Sequence, residues 1–175
     1  LLQLQRDRLI LNWIGSGETY PRFETHLGDF RSLFEEFTDY LGSAEFPEPE
    51  INQWEITYQN TIPQGTVWSS PEDWGFFTPL SGVMSLPGIP KQESFNGQWH
   101  FVMPEETGRL HIQWQHIRSS DESAEEKIRL TLTARGPAKD TKSFLDGVHV
   151  GRETIVRTFR DLMSDNANRF WGLEI

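Results

Sequence analysis

The fold is decided by the stretch KIRLTLTAR at residues 127–135, in which apolar and polar side chains alternate strictly. This period of two is typical of a β-strand with one buried face, and a sheet with one polar face is normally antiparallel. Segments at about 98–103 and 109–118 also have strand patterns, so three consecutive strands are predicted here. Four apolar residues of the last strand are expected to face the interior: Ile128, Leu130, Leu132 and Ala134.

Further strands are predicted before this group. Residues 1–14 have the pattern of a β-hairpin that turns at Arg6–Asp7. The second strand of this hairpin is apolar on both faces, which favours a central position in a sheet. Residues 53–59 alternate in the same way and predict another half-buried strand.

Helices are predicted at three places. The clearest follows Tyr20–Pro21 and ends at Gly42, because its large apolar residues recur at spacings of three and four. Ser70-Pro71-Glu72-Asp73 has the composition of a helix start and predicts a short helix. A final helix is expected over about 151–163. The predicted buried stripes are Phe23, Leu27, Phe30, Phe34, Phe37 and Leu41 in the first helix, and Ile155, Val156, Phe159, Leu162 and Met163 in the last.

This order of elements shows no alternation of strand and helix, so a doubly wound fold is disfavoured. We expect an α+β fold, with a mainly antiparallel sheet, helices packed on one face and a long C-terminal helix. The 175 residues are expected to form a single domain. An alternative is two similar halves, about 1–78 and 95–175, joined by the Pro/Gly-rich segment 79–97.

Composition favours some partners over others. The chain carries 26 acidic and 16 basic residues, a formal net charge of −10, which repels nucleic acid and anionic lipid. It has no cysteine, which fits a reducing cytoplasm, and no apolar run of the ~20 residues that span a bilayer. We therefore expect a soluble cytoplasmic protein without nucleic-acid or membrane partners. The chain opens at Leu1 inside a strand pattern, so further residues are expected before it.

The motifs of common active sites and cofactor sites are missing from the sequence. The five histidines show no metal-ligand spacing, and neither a nucleophile elbow nor a phosphate-binding glycine loop occurs. His111 and His116 are five residues apart on one predicted strand, so they are expected to point to opposite faces. No catalytic, cofactor-binding or metal-binding residue is assigned, and no cofactor is expected.

One group of polar residues stands out on the predicted sheet. Gln113 and Gln115 share a strand face with His111, and Arg129 is expected beside them on the next strand with two threonines. This surface is interpreted either as an ordinary solvent-facing sheet or as a contact surface for a partner chain or a polar ligand.

Both ends of the chain resemble a sporadically distributed family of uncharacterised prokaryotic proteins. The similar segments are LQLQRDRLILNW, YPRFE, EITYQNTIP, LDGVHV and RFWG. The resemblance implies no activity, but a patchy distribution implies accessory genes such as defence or toxin–antitoxin loci. It also implies a further N-terminal section. The recurrent residues of the family fall here on Gln3, Gln5, Asp7, Arg8, Asn12, Trp13, Tyr20, Pro21, Tyr58, Asn60, Asp146, His149 and Trp171.

Three functions follow as hypotheses. The first is a non-catalytic interaction domain that binds another protein or a second copy of itself. The second is a small-molecule-binding domain with an aromatic pocket lined by Trp54, Trp99 and Trp114. The third is an enzyme of unknown class, with candidate residues of common catalytic types. These candidates are Asp7, Arg8, Asp146 and His149.

Overall fold

A computed structural model of the chain describes residues 1–15, 22–80, 92–118 and 125–173. The chain separates into two compact units, Leu1–Glu50 and Ile51–Ile175. The division therefore falls at Glu50 and not within the segment 79–97, most of which lies outside the described residues. Tyr20 and Pro21, which precede the predicted first helix, also lie outside them.

The first unit contains a hairpin and a helix. Strands β1 (Leu2–Gln5) and β2 (Arg8–Leu11) pair antiparallel, as predicted, with Leu2 opposite Leu11. The expected central position of β2 is wrong, because in the described part of the chain β2 pairs with β1 alone. Helix α1 (Phe23–Ser43) confirms the predicted helix, but its apolar stripe is only partly buried, and no residue of α1 is fully buried.

The second unit is built on one antiparallel sheet. Its strands are β3 (Gln53–Pro63), β4 (Asn96–Val102), β5 (Arg109–Ile117) and β6 (Lys127–Pro137). Their spatial order is β3-β6-β5-β4, and every neighbouring pair is antiparallel. The sheet thus joins strands from both sides of the 79–97 segment. Ile128, Leu130, Leu132 and Ala134 are all buried, which confirms the alternation predicted for β6.

Helix α2 (Thr141–Leu162) covers the apolar face of this sheet, mainly over β6 and β3, and a short helix α3 (Asp165–Phe170) follows. The fold class predicted from the sequence is confirmed, although α2 begins ten residues before the predicted start at 151. Its first turn is held by a capping box, in which the Asp140 carboxylate accepts a 2.7 Å hydrogen bond from the Ser143 amide. Ile155 is buried as predicted, but Val156 is 47% exposed, so its predicted burial is wrong.

Glycines allow α2 to approach the sheet closely. The indole of Trp54, on β3, is only 1% exposed. A β-carbon at Gly147 or Gly151 of α2 would come within 2.6 Å of that indole, and one at Gly136 of β6 within 2.8 Å. Only residues without a side chain leave room for the ring, so these glycines are needed for packing.

The predicted short helix at Ser70 is wrong. Residues 69–76 form turns, a bend and irregular backbone, and Thr78–Leu80 form a single 3-10 turn. The Asp73 carboxylate accepts hydrogen bonds from the amide and hydroxyl of Ser69, both at 3.1 Å, and so holds the chain in a turn instead of capping a helix. Phe77 forms an isolated antiparallel bridge with Met163, and Trp74 and Phe76 are buried beside it.

No helix within the described ranges is both long and apolar enough to cross a membrane.

Candidate functional site

The sheet of the second unit has a polar face on the side away from α2, which we call the open face. Strand alternation turns every second side chain of the four strands to this side, and the register aligns them in rows across the strands. Four rows run from β3 to β4: Glu55–Arg135–Arg109–Val102, Thr57–Thr133–His111–His100, Gln59–Thr131–Gln113–Gln98 and Thr61–Arg129–Gln115–Asn96. A fifth row, Pro63–Lys127–Ile117, spans three strands.

The structure brings together the polar residues that the sequence pattern singled out. His111 lies opposite Thr133, Gln113 opposite Thr131, and Gln115 opposite Arg129. The grouping of Gln113, Gln115, His111 and Arg129 on one face is therefore confirmed. Most side chains of the open face are exposed, and His111 is partly buried.

Positive charge dominates the open face, whereas the chain as a whole has a formal net charge of −10. Lys127, Arg129, Arg135 and Arg109 are exposed cations on this face, and Glu55 is its one carboxylate. None of the four cations forms an ion pair with another described residue. Within the described part of the chain, the face is therefore a cationic surface without ion pairs on a protein that is acidic overall.

Two of these cations stand in an unfavourable arrangement. Arg109 and Arg135 are direct cross-strand partners, and like charges at such positions destabilise a sheet. Glu55, the cross-strand partner of Arg135 on its other side, offsets only part of this repulsion. An anionic group placed above the two guanidinium groups would be attracted to both.

A pair of histidines lies beside the arginines. The His100 and His111 rings are cross-strand neighbours, with centroids 4.4 Å apart. Partial burial lowers the pKa of His111, and the nearby Arg135 and His100 lower it further, while Glu55 raises it. The His111 Nε2 atom is buried and finds no hydrogen-bond partner within the described part of the chain.

Two hydroxyl groups complete the row. The hydroxyls of Thr57 and Thr133 lie 2.9 Å apart and are hydrogen-bonded to each other. The row therefore offers hydroxyl and imidazole groups that both donate and accept hydrogen bonds. The described residues contain no group of three or more histidines and carboxylates that could hold a metal ion.

The four residues of the enzyme hypothesis lie in two different units. Asp7 and Arg8 lie at the hairpin turn of the first unit, with 3.7 Å between Arg8 Nε and the Asp7 carboxylate. Asp146 and His149 lie on α2 in the second unit, and both are exposed. Lys142 donates a 2.9 Å hydrogen bond to Asp146, an ion pair that also raises the pKa of the lysine. Within each unit these are surface groups on a turn or a helix.

His116 confirms the expectation that it points away from His111. It lies on the apolar face, and its Nε2 is 2.8 Å from the carboxylate of Glu126. Its ring stacks on Phe95 at 5.2 Å and meets Trp68 edge-on at 5.5 Å. These contacts are those of a histidine that is part of the core.

The tryptophans proposed to line a pocket are packed instead. Trp99 and Trp114 lie edge to face with ring centroids 4.6 Å apart, and Phe77 packs on both of them. The cavity bounded by Trp114, Phe77 and their neighbours has a volume of about 10 Å³. That volume holds about one water molecule, so this part of the interior gives the small-molecule hypothesis no support.

Four residues of the open face that carry a cation or an imidazole were not among the candidates from the sequence: His100, Arg109, Lys127 and Arg135. Each shares a strand face with other polar residues, but only the strand register shows that Arg109 pairs with Arg135 and that His100 pairs with His111. The alternation of β6 could have identified Arg135, because it shares a face with Arg129.

No protein-family model, curated protein or solved structure matches this chain.

Proposed function

We propose that this chain is a non-catalytic interaction domain that binds an acidic partner protein through the open face of its sheet. The single observation that carries the proposal is the set of four cations on this face that form no ion pair with another described residue. Unpaired charge gains little for folding, but it attracts and orients a partner of opposite charge.

The composition of the face favours a protein partner over a nucleic acid. Proteins that bind single strands on a sheet stack bases on aromatic side chains. The rows of the open face contain no phenylalanine, tyrosine or tryptophan. The net charge of −10 also repels a long polyanion, whereas a short acidic segment experiences mainly the local cationic surface.

The size of the face suits a transient complex. Four strands about 4.8 Å apart and four or five rows about 6.8 Å apart cover on the order of 500 Å². Stable interfaces bury about 800 Å² on each partner, and smaller ones are typical of transient complexes. We therefore expect fast, salt-sensitive association.

The resemblance described above fits an accessory role of this kind. Defence and toxin–antitoxin systems work through protein partners, so an interaction domain of such a system is our proposal for the biological setting. Association with a second copy of the chain is the alternative form of the same function.

The test is native mass spectrometry of the full chain purified gently from its own host. The wild type is compared with Arg109→Glu and with Arg157→Glu, which reverses an exposed charge on α2, away from the open face. We expect an additional protein chain on the wild type and on Arg157→Glu, and its loss from Arg109→Glu.

Three results would contradict the proposal. The first is a bound chain that both variants retain equally. The second is bound nucleic acid, and the third is a bound molecule of a few hundred daltons, which would favour the small-molecule hypothesis.

A further inference from the structure

Within the described residues, strand β4 forms one edge of the sheet, and its own sequence lacks the features that usually block pairing with another chain. Among the described residues β4 pairs with β5 alone. Natural edge strands are usually blocked by charged residues, proline or bulges. The seven residues of β4, NGQWHFV, contain neither a charged residue nor a proline.

The opposite edge of the sheet makes a useful comparison. Strand β3 carries the charged residue Glu55 and ends at Pro63, which cannot donate a backbone hydrogen bond. The two edges of one sheet thus differ, and only β4 presents an uncharged edge.

The side chains of β4 are also unusually apolar for an edge. Phe101 is 47% exposed and Val102 is 60% exposed. Phe101 lies on the α2 side of the sheet, where it meets Trp99 edge-on at 6.3 Å. Helix α2 lies mainly over β6 and β3 and leaves this aromatic pair at the rim of the sheet.

A strand added beside β4 would face two different surfaces. Its side chains on one side would lie next to Trp99 and Phe101, and those on the other next to Gln98, His100 and Val102. Arg109 is the cross-strand partner of Val102 on β5, and the two strands are about 5 Å apart. An acidic side chain placed beside Val102 on the added strand would therefore lie within reach of the Arg109 guanidinium group.

We propose that the partner binds by strand addition: an extended segment with alternating apolar and acidic side chains pairs with β4 as a fifth strand. The inference rests on the proposed function and names its binding mode. Backbone hydrogen bonds to β4 hold the segment, Trp99 and Phe101 receive its apolar side chains, and the cationic open face receives its carboxylates.

The test uses the full chain and a synthetic probe, the capped octapeptide Glu-Val-Glu-Val-Glu-Val-Glu-Val. A second probe has the same sequence but is N-methylated at alternate residues, so it keeps the charges and loses the backbone donors along one edge. An oligouridine is the third probe. Binding is followed by amide chemical shifts and by hydrogen exchange of the β4 amides.

Two variants are compared, Phe101→Lys and Val156→Lys. Both replace an apolar residue that is 47% exposed, but only Phe101 lies on the edge strand. A lysine there reproduces the charge by which natural edges block pairing. We expect the octapeptide to protect β4 amides from exchange, and its affinity to fall at least about tenfold for Phe101→Lys but not for Val156→Lys. N-methylation is expected to reduce the affinity by a similar factor.

Other outcomes separate the two proposals. If both peptides bind equally, without protecting β4, strand addition is wrong and the charge-based function stands. If neither peptide binds at millimolar concentration, strand addition is also wrong, and the host purification with Arg109→Glu then decides the proposed function. Preferential binding of oligouridine overturns both proposals. A homodimer that is abolished by Phe101→Lys would show that β4 pairs with a second copy of this chain, and would overturn the proposal that a segment of another protein binds there.

Discussion

Replacement of Gly147 by alanine tests whether the glycines of α2 exist to receive Trp54. In an exposed helix a glycine-to-alanine change stabilises by about 0.5–1 kcal/mol, because alanine loses less backbone entropy on folding. Here the new β-carbon would overlap Nε1 and Cδ1 of the Trp54 indole and lie 2.6 Å from Cε2. Overpacking of a core costs about 1–3 kcal/mol. The upper part of that range applies, because the ring is rigid and Trp54 is 1% exposed.

The expected net result is a loss of roughly 2 kcal/mol in the free energy of unfolding, the overpacking cost minus the helix gain. Urea unfolding followed by tryptophan fluorescence measures it. Of the seven tryptophans only Trp13 lies in the first unit, so the signal reports mainly on the second. The matched control is Gly28→Ala in α1, where a β-carbon would meet no atom within 4 Å. By circular dichroism this variant should be stabilised by about 0.5–1 kcal/mol.

A double-mutant cycle with Trp54→Leu assigns the cost to the indole. If the overlap with the ring is responsible, Gly147→Ala should be neutral or stabilising in the Trp54→Leu background, with a coupling energy of about 2–3 kcal/mol. Stabilisation by Gly147→Ala in the wild-type background would refute the reasoning. So would an equal loss in both backgrounds, which would place the cost in the helix itself.

Further predictions concern titration, capping, helix orientation and the open face. Because the folded-state pKa of His111 lies below its unfolded value of 6.5, its contribution to stability is present above pH 6.5 and is lost as the pH falls through the folded value. NMR titration of the imidazole, with stability measured in parallel on His111→Gln, checks this; a folded pKa at or above 6.5 would contradict it. Hydrogen bonds from Ser143 lower the pKa of Asp140, so its stabilisation is present above pH 3.8 and lost in stronger acid. Asp140→Asn should remove this acid dependence and keep the cap, while Asp140→Ala should lower the melting temperature at neutral pH. Equal melting temperatures for the two variants would count against the capping role. Ile155→Ala should cost about 2–5 kcal/mol and Val156→Ala less than about 0.5 kcal/mol in urea unfolding; the reverse order would mean that α2 is rotated. Arg109→Gln should raise stability by about 0.2–0.5 kcal/mol because it relieves the repulsion across the strands, whereas a loss above 1 kcal/mol would show a structural role.

Local patterns predicted the sheet well because strand alternation depends on burial alone. In β6 every second residue is apolar, and the structure buries each of them. The segment at Ser70 shows the opposite case. Its composition suits a helix start, but the Asp73 carboxylate bonds to Ser69 and the aromatic residues that follow are buried beside Met163. Tertiary burial of those aromatic side chains outweighs the weak local preference for a helix.

The start of α2 was missed for a different reason. Gly147 and Gly151 weaken the helix pattern in the sequence, since glycine is unfavourable in a helix interior. Their advantage depends on a tryptophan about ninety residues earlier in the chain, which local reasoning does not register. The capping residues Asp140 and Ser143 were the available signal for the true start.

The candidate site could likewise be predicted where its residues are close in sequence, but not where they come from distant strands. Gln113, Gln115 and His111 lie on one strand, and Arg129 is on the next strand of a hairpin. The two-residue period of a strand and the pairing of consecutive strands were therefore enough to group them. His100 joined the group, and Arg109 was paired with Arg135, only through the register of three strands. The charge of the face is likewise a property of the register, because its cations are scattered along an acidic sequence.

In the proposed function, one face of the sheet serves stability and the other serves recognition. On the α2 side, glycines and a buried tryptophan give close packing, which is where most of the stabilising apolar contacts lie. The open face contributes polar rows and an unfavourable arginine pair, Arg109 and Arg135, to an already folded sheet. A charge arrangement that weakens the fold and is easily removed by substitution is typical of a surface kept for binding. The uncharged edge of β4 adjoins this surface, so one extended partner segment can use both the backbone edge and the cationic face.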